Sequence, residues 1–140
     1  MYYLKYIMLF LWQLPQNIVA LIMVPFLGKM TLICHERHTY AFECSNMNGG
    51  ISLGNFIFLS PYSAGKETTV MHEFGHSIDS IKFGWLYLFV IGIPSLCWAM
   101  FKPKNRCYYS WYTERWANEN AGLEVAENQY GCYLYIPKIE

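Results

Sequence analysis

Two histidines and a glutamate stand close together near the middle of the chain, at His72, Glu73 and His76. Residues four positions apart on a helix lie on one face, so the two imidazoles would point in the same direction. Held in this way, they can occupy two corners of a zinc tetrahedron. Glu73 stands beside them and can take a proton from a water that the metal activates. The spacing therefore predicts a catalytic Zn²⁺ site, with His72 and His76 as ligands and Glu73 as the general base.

A catalytic zinc site uses a third protein ligand, and the sequence offers several carboxylates for it. Glu114 lies on a predicted later helix, and Asn118 follows one turn further along the same face. Asp79, three residues after His76, is the second choice as a ligand, and it is better suited to supporting a ligand histidine or capping the helix. The remaining acidic candidates are Glu67, Glu119 and Glu124.

The stretch from His72 to His76 reads HEFGH, which is the HExxH motif, and the chain resembles the zincin metallopeptidases. Among these it is most similar to the Glu-zincins, whose third zinc ligand is a glutamate on a downstream helix. A carboxylate one turn after that glutamate often hydrogen-bonds a ligand histidine. The resemblance thus implies Glu114 as the third ligand and Asn118, where that pattern has Asp, as the partner of a histidine.

The likeness to zincins covers residues 50–82 and 108–122. More narrowly, the segments HEFGHSIDS, GIPS and YYSWYTERWAN resemble small, uncharacterised bacterial membrane proteins that are assigned to the metallopeptidases. That likeness also favours Glu114 and implies no particular substrate.

A zincin-like mechanism implies a peptide or protein substrate. Glu73 would take the proton from the attacking water and pass it to the leaving amine. The developing oxyanion needs a hydrogen-bond donor. Three tyrosines near Glu114 can supply a phenol, and the sequence does not choose among them: Tyr108, Tyr109 and Tyr112.

Three elements are expected to hold these residues in place. A helix over 65–82 carries the HExxH motif, and a helix over 110–122 carries Glu114. A β-hairpin is predicted over 39–60, because an Asn-Gly-Gly turn signal separates two stretches of strand character. This hairpin would either pair its edge with an extended substrate or only cover the HExxH helix.

Two apolar stretches predict membrane segments. Residues 6–28 carry no charge and exceed the roughly 20 residues that span a bilayer as a helix. Pro15 would bend this segment or divide it into two short helices. Residues 83–101 form a second apolar stretch that either spans or re-enters. For the two predicted site helices to meet, this stretch must turn back at residues 92–95 or pack as a bent hairpin in the core.

The composition also favours association with a membrane. Charged residues make up 14% of the chain and aromatic residues 19%, whereas a soluble domain has about a quarter charged residues. Ten basic and ten acidic residues cancel, which gives no reason to expect nucleic acid as a partner. The five cysteines are an odd number without a CxxC pair, so we expect no disulfide framework and at least one free thiol.

Together these features predict one membrane-associated domain over residues 1–140. Its expected fold class is a mainly α membrane protein with a small β-hairpin, a zincin-like core of strand, HExxH helix and downstream ligand helix, and two apolar membrane segments. The expected function is a membrane-embedded zinc metallopeptidase, located in the bacterial inner membrane and in contact with lipid. Two alternatives are a non-catalytic membrane protein with a structural zinc or adaptor role, and a membrane subunit without metal.

Overall fold

The computed structural model describes residues 1–139 and contains six α-helices within them. The helices are α1 (Tyr2–Trp12), α2 (Leu14–Met23), α3 (Pro61–Ala64), α4 (Glu67–Phe83), α5 (Ile93–Phe101) and α6 (Tyr112–Ala121). Three short 3₁₀ turns accompany them, after α2 (Val24–Phe26), after α4 (Gly84–Leu86) and before α6 (Tyr108–Ser110). A π-helical turn, Leu88–Gly92, leads directly into α5. The HExxH motif therefore lies on α4, and Glu114 lies on α6.

Six strands form two sheets in the same residues. They are β1 (Met30–Glu36), β2 (Thr39–Cys44), β3 (Gly50–Leu53), β4 (Phe56–Leu59), β5 (Glu124–Asn128) and β6 (Gly131–Tyr135). The larger sheet has the order β1-β2-β4-β3, and in it β2 and β4 run parallel while the other neighbours run antiparallel. The strands β5 and β6 form a separate antiparallel pair. β3 is thus an edge strand of the larger sheet, and α4 packs against it.

The predicted class, mainly α with one small hairpin over 39–60, is wrong. Strands hold 22% of the residues beside 55% in helices, so the chain is an α+β protein with two sheets. A turn at Gly54, whose φ is 65°, divides the stretch 51–60 into β3 and β4. Few residues other than glycine adopt that backbone conformation. The two halves pair with each other, and β4 lies parallel to β2 instead of forming a hairpin with it.

The predicted fold class is also wrong in that neither apolar stretch, 6–28 or 83–101, forms one continuous membrane-spanning helix. Within the part of the chain that the structure describes, no single helix is both long and apolar enough to cross a membrane. The first stretch is divided at Gln13 into α1 and α2. Only α1 taken together with α2 and the 3₁₀ turn that follows it is long and apolar enough to cross a membrane, and the two parts are bent by 80° relative to each other. In the second stretch, Gly84 ends α4 with a φ of 53°, and short 3₁₀, π and α segments follow.

Buried polar side chains hold the break between α1 and α2 in place. Ser80 Oγ on α4 donates to Gln13 Oε1 at 2.7 Å, and Gln16 Nε2 donates back to Ser80 Oγ at 2.9 Å. Asn17 Nδ2 donates to Asn55 Oδ1, and Asn55 N donates to Asn17 Oδ1, both at 2.8 Å. These bonds satisfy polar groups that would otherwise be costly to bury. They fix α2 against α4 and against the turn between β3 and β4.

Each face of the larger sheet carries an apolar cluster, because successive side chains of a strand point to opposite faces. One cluster packs the sheet against α2 and includes Ala20, Cys44, Leu53 and Phe58. The other packs it against α4 and includes Ala41, Ile57, Leu59, Val70 and Phe74. The sheet therefore fixes the position of α4, and with it the HExxH motif.

A disulfide joins Cys107, just before the last 3₁₀ turn, to Cys132 on β6. It ties the pair β5–β6 to the segment that leads into α6. The sequence did not indicate this pairing, whereas the expectation of a free thiol is confirmed at Cys34, Cys44 and Cys97.

Candidate metal centre

The helices α4 and α6 bring together three side chains that could hold a metal ion. His72 and His76 lie on one face of α4 and are each 5% exposed, while Glu114 enters from α6 and is fully buried. One ligand atom from each of the three lies within 4.8 Å of the other two. The structure thus gathers the two HExxH histidines and the glutamate on the downstream helix into one buried group.

Close contact between the two helices depends on Gly75. A Cβ built on this residue would lie 2.7 Å from the carbonyl carbon of Ala117 on α6, well inside van der Waals distance. The helices therefore touch through their backbones at this point, and Asn120 Nδ2 donates to Gly75 O at 3.0 Å beside it. Glycine in the interior of a helix costs roughly 1 kcal/mol relative to alanine, and here the close approach explains its presence.

Hydrogen bonding orients His72 within the group. Its Nδ1 donates to Asn118 Oδ1 at 2.6 Å, and its Nε2 lies 3.0 Å from Glu114 Oε2. The Nε2 of His76 lies 3.3 Å from the same oxygen. With its Nδ1 proton directed to Asn118, a neutral His72 presents the lone pair of Nε2 to the carboxylate. Lone pairs that converge in this way need a cation between them, so the donor set fits a metal ion.

The two histidines favour the ionised form of Glu114. Burial alone would raise the pKa of its carboxyl, but the hydrogen bonds and charge of His72 and His76 hold that pKa well below its ordinary value. Burial would likewise lower the pKa of His72. When no cation lies between the two groups, a proton on His72 Nε2 can take its place; the hydrogen bond of that proton to Glu114 and the charges of Glu73 and Glu114 outweigh burial and raise the pKa. The pocket therefore presents an anionic oxygen to whatever cation it binds.

Two hydroxyl groups hold the second oxygen of Glu114. Ser95 Oγ on α5 donates to Glu114 Oε1, and Thr113 Oγ1 donates to the same oxygen at 3.1 Å. They leave Glu114 Oε2 directed at the histidines. Reasoning from the sequence missed both residues, and the one available signal for Ser95 was a serine inside an otherwise apolar run.

The carboxyl group of Glu73 lies against β3, and Glu73 lines the same cavity as His76. It is buried, and its Oε2 has no hydrogen-bond partner in residues 1–139. Its Oε1 faces Gly50 of β3, where a Cβ would come within 2.7 Å of that oxygen. Burial raises the pKa of Glu73, while the charges of His76 and His72 oppose the rise. A glutamate with a raised pKa and a free buried oxygen has the properties of a proton acceptor.

The three candidate tyrosines are placed differently. Tyr108 lines the same cavity as Glu73 and His76, and Tyr109 packs edge-on against the His72 ring with centroids 5.6 Å apart. Burial and the charges of Glu114 and Glu73 raise the pKa of both phenols, which therefore remain protonated and able to donate. Tyr112 donates instead to Val90 O at 2.6 Å. Tyr108 is thus the candidate that faces the space beside Glu73.

Asp79 lies outside the ligand group. Its Oδ1 accepts a hydrogen bond from Asn120 Nδ2 at 2.7 Å, so it joins α4 to α6. Burial raises the pKa of this carboxyl, an effect that the Asn120 hydrogen bond and the His76 charge oppose. The other acidic candidates, Glu67, Glu119 and Glu124, are exposed on the surface.

Compared with known proteins, the chain matches no family model, no curated protein and no solved structure. The geometry of this site is therefore what supports a function for the chain.

Proposed function

We propose that this chain is a zinc-dependent metallopeptidase of the zincin type. One observation carries the proposal. Glu73 is buried beside the group formed by His72, His76 and Glu114, and one of its carboxylate oxygens has no partner within residues 1–139. A buried carboxylate oxygen without a partner is costly. Its position beside a group that could bind metal supports a catalytic reason for that cost.

The donor set supports zinc as the metal. Two histidines and one glutamate are a ligand set of catalytic zinc sites, in which the fourth position is left for water or substrate. A structural zinc, the alternative suggested by the sequence, would need a fourth protein ligand, and the group found among residues 1–139 has three. When bound, a zinc ion supplies Lewis-acid chemistry, polarising a carbonyl group and lowering the pKa of a coordinated water.

Metal binding, proton transfer and stabilisation of the developing negative charge are assigned to different residues of the chain. His72, His76 and Glu114 hold the metal, and Asn118 fixes the orientation of the His72 ring. Glu73 takes the proton from the water that attacks the peptide carbonyl, and passes it to the amine that leaves. Tyr108, protonated and lining the same cavity, donates a hydrogen bond to the oxygen on which negative charge develops.

The free edge of β3 supports a peptide as the substrate. Its register with β4 turns the backbone N–H and C=O groups of Gly50 and Ser52 away from β4. Ser52 O is already taken, because Tyr87 Oη donates to it at 2.8 Å. The backbone groups of Gly50, next to Glu73, can pair with an extended peptide beside the proton acceptor.

The test measures metal content and peptidase activity on the same preparations of the full chain. The parent loaded with Zn²⁺ should retain one ion per chain and cleave members of a library of unstructured peptides. Removing the ion with a chelator should abolish cleavage, and adding Zn²⁺ should restore it. The Glu73→Gln variant should keep its zinc and lose activity by about 100-fold or more, since it lacks the proton acceptor.

Two further variants act as controls. His76→Ala should lose both zinc and cleavage, whereas Glu119→Gln, an exposed change on α6, should keep both. A parent chain that binds no zinc would contradict the proposal. So would a Glu73→Gln variant that binds zinc and cleaves peptides at the parental rate.

A further inference from the structure

The helix α2 has its polar side chains inside and its apolar side chains outside. Gln16 and Asn17 are fully buried and form hydrogen bonds with α4 and with the turn between β3 and β4. Ile18, Leu21 and Ile22 are exposed on the other side of the helix, and Ile22 has 63% of its surface exposed. A helix on the surface of a water-soluble protein has the opposite arrangement. The outer side of α2 is therefore suited to an apolar environment.

The helix α1 carries a second outward apolar stripe. It has no buried residue, and four of its apolar side chains recur at a spacing of three and four residues and are each more than half exposed: Leu4, Ile7, Met8 and Leu11. Trp85 Nε1 donates to Leu11 O at 2.9 Å, which joins α1 to the second apolar stretch. In that stretch the exposed large apolar side chains include Phe89, Ile93, Leu96, Met100 and Phe101.

The outer sides of α2 and α5 adjoin as well. Val19 of α2 and Leu96 of α5 are both partly exposed and line one cavity. The outward apolar side chains of α1, α2 and residues 85–101 thus form one surface, the apolar face. Single exposed apolar residues are normal on a protein, whereas a continuous set of them marks a site of interaction.

Charges are distributed unevenly between this face and the rest of the chain. Residues 1–35 and 80–113, which contain the whole apolar face, include no aspartate or glutamate, and all ten acidic residues lie in 36–79 and 114–140. Lys5 lines a groove between α1 and Trp85, and the Arg106 guanidinium lies 5.9 Å from the centre of the Trp98 ring. The basic residues of the two segments all stand at or near the ends of the apolar stretches: Lys5, Lys29, Lys82, Lys102, Lys104 and Arg106.

We propose that the apolar face lies on the surface of a lipid bilayer that contains anionic phospholipids. The apolar side chains enter the acyl-chain boundary of one leaflet, and the basic side chains contact the phosphate headgroups. Within residues 1–139 no single helix can cross a membrane, and contact with one leaflet requires none. This inference does not depend on the peptidase function.

The charges favour a bilayer over a second copy of the chain as the occupant of this face. A symmetric dimer presents the same surface from both subunits, so the basic borders of two apolar faces would meet each other. Like charges brought together in this way repel. A leaflet with anionic headgroups instead supplies the opposite charge around an apolar interior.

The first experiment measures flotation of the full chain with vesicles of two compositions, phosphatidylcholine alone and an equal mixture of phosphatidylcholine and phosphatidylglycerol. The chain should float with the mixed vesicles, and its apparent Kd should be at least about 10-fold higher for phosphatidylcholine alone. Equal binding to both compositions, or binding to neither, would overturn the proposal.

The variant Ile22→Asp tests the apolar face. Because Ile22 is exposed, the fold should be kept, which circular dichroism and the Tm check. The apparent Kd for the mixed vesicles should rise at least about 10-fold, since a carboxylate does not enter the acyl-chain boundary. Tyr130→Asp, an exposed change in the turn between β5 and β6, is the matched control and should keep the parental Kd. The same Kd in both variants would overturn the assignment to this face.

The basic border is tested by combining Lys104→Gln with Arg106→Gln. The apparent Kd should rise about 10-fold for the mixed vesicles and stay unchanged for phosphatidylcholine alone. The matched control combines Lys66→Gln with Arg115→Gln, two exposed basic residues outside the segments of the apolar face, and should bind both compositions as the parent does. An unchanged Kd after the first pair of substitutions would overturn the contact with anionic headgroups.

Fluorescence tests the contact without any substitution. Trp12 and Trp85 belong to the apolar face and are 50% and 57% exposed, so mixed vesicles with brominated acyl chains should quench the emission of the bound parent. Emission that is the same with brominated and ordinary lipids would overturn the proposal. So would a parent that is dimeric by sedimentation equilibrium and stays off the vesicles, with Ile22→Asp monomeric, because the face would then belong to a second copy.

Discussion

Gly75 of α4 rests directly on the backbone of Ala117 in α6. A Cβ at position 75 would come within 2.7 Å of the Ala117 carbonyl carbon and 3.0 Å of its Cα. Backbone atoms cannot move aside as the end of a flexible side chain can. The contact therefore sets the separation of the two helices, and with it the distance between the HExxH histidines and Glu114.

Replacing Gly75 with alanine should force the two helices apart. We expect the free energy of unfolding to fall by about 1–3 kcal/mol, as for other overpacked sites. The Kd for zinc should rise at least about 10-fold, because the ligands come from both helices. Urea unfolding and a zinc titration measure the two effects.

The control for this change is Gly65→Ala, at the end of α3. A Cβ there would make ordinary contacts of 3.6 and 3.7 Å, and the backbone has a φ of −76° that alanine adopts easily. Its stability and zinc Kd should match those of the parent. A Gly75→Ala protein with parental stability and zinc Kd would show that the helix contact does not set the site.

The local part of the candidate site could be read from the sequence. The pairs His72–His76 and Glu114–Asn118 each follow the four-residue spacing of a helix, which needs no knowledge of the fold. Glycine inside a helix is costly unless another element packs close to it, so Gly75 by itself also indicates a close neighbour.

The remaining features depend on tertiary contacts. Ser95 reaches Glu114 because α5 returns over the site, and Gly50 meets Glu73 because β3 lies at the edge of the sheet. The sequence predicted a bend or a division of the first apolar stretch at Pro15, but not the contacts that fix it. Buried hydrogen bonds of Gln13, Gln16 and Asn17 hold α1 and α2 at an angle of 80° to each other, and hydropathy counted along the chain does not register them.

Asn118 should tune the affinity for metal. Its Oδ1 accepts the hydrogen bond from His72 Nδ1 at 2.6 Å, which fixes the ring with Nε2 toward Glu114. In Asn118→Ala the ring loses this partner, and we expect the zinc Kd to rise about 10- to 100-fold. Asn118→Asp supplies a charged acceptor, which makes the imidazole a stronger ligand, and should lower the Kd below the parental value. Competition with a chromophoric chelator measures all three constants, and an unchanged Kd in both variants would contradict this role.

Ser95 should increase the affinity for metal, because it holds Glu114 in place. Its hydroxyl and that of Thr113 hold Glu114 Oε1, and Ser95→Ala removes one of the two donors. We expect the zinc Kd to rise about 10-fold, since the carboxylate is held less firmly for binding. Ser110→Ala removes an exposed hydroxyl that bonds Cys107 O, and it serves as the control with a parental Kd. A Ser95→Ala variant with the same Kd as Ser110→Ala would reject the assignment.

Replacing Gly50 should impair catalysis without weakening metal binding. A Cβ on this residue would lie 2.7 Å from Glu73 Oε1 and 3.0 Å from Leu59 Cδ2, so Gly50→Ala must displace the carboxylate. Gly50 does not have a positive φ, and alanine therefore fits the backbone itself. The zinc ligands lie on α4 and α6 and are not touched by the added methyl group.

We expect kcat/KM for peptide cleavage by Gly50→Ala to fall by about 100-fold, because a small displacement of a reacting group is costly, while the zinc Kd stays at the parental value. Kinetics and zinc titration on one preparation test both halves, and full activity in Gly50→Ala would mean that the carboxylate position next to β3 is not the catalytic one.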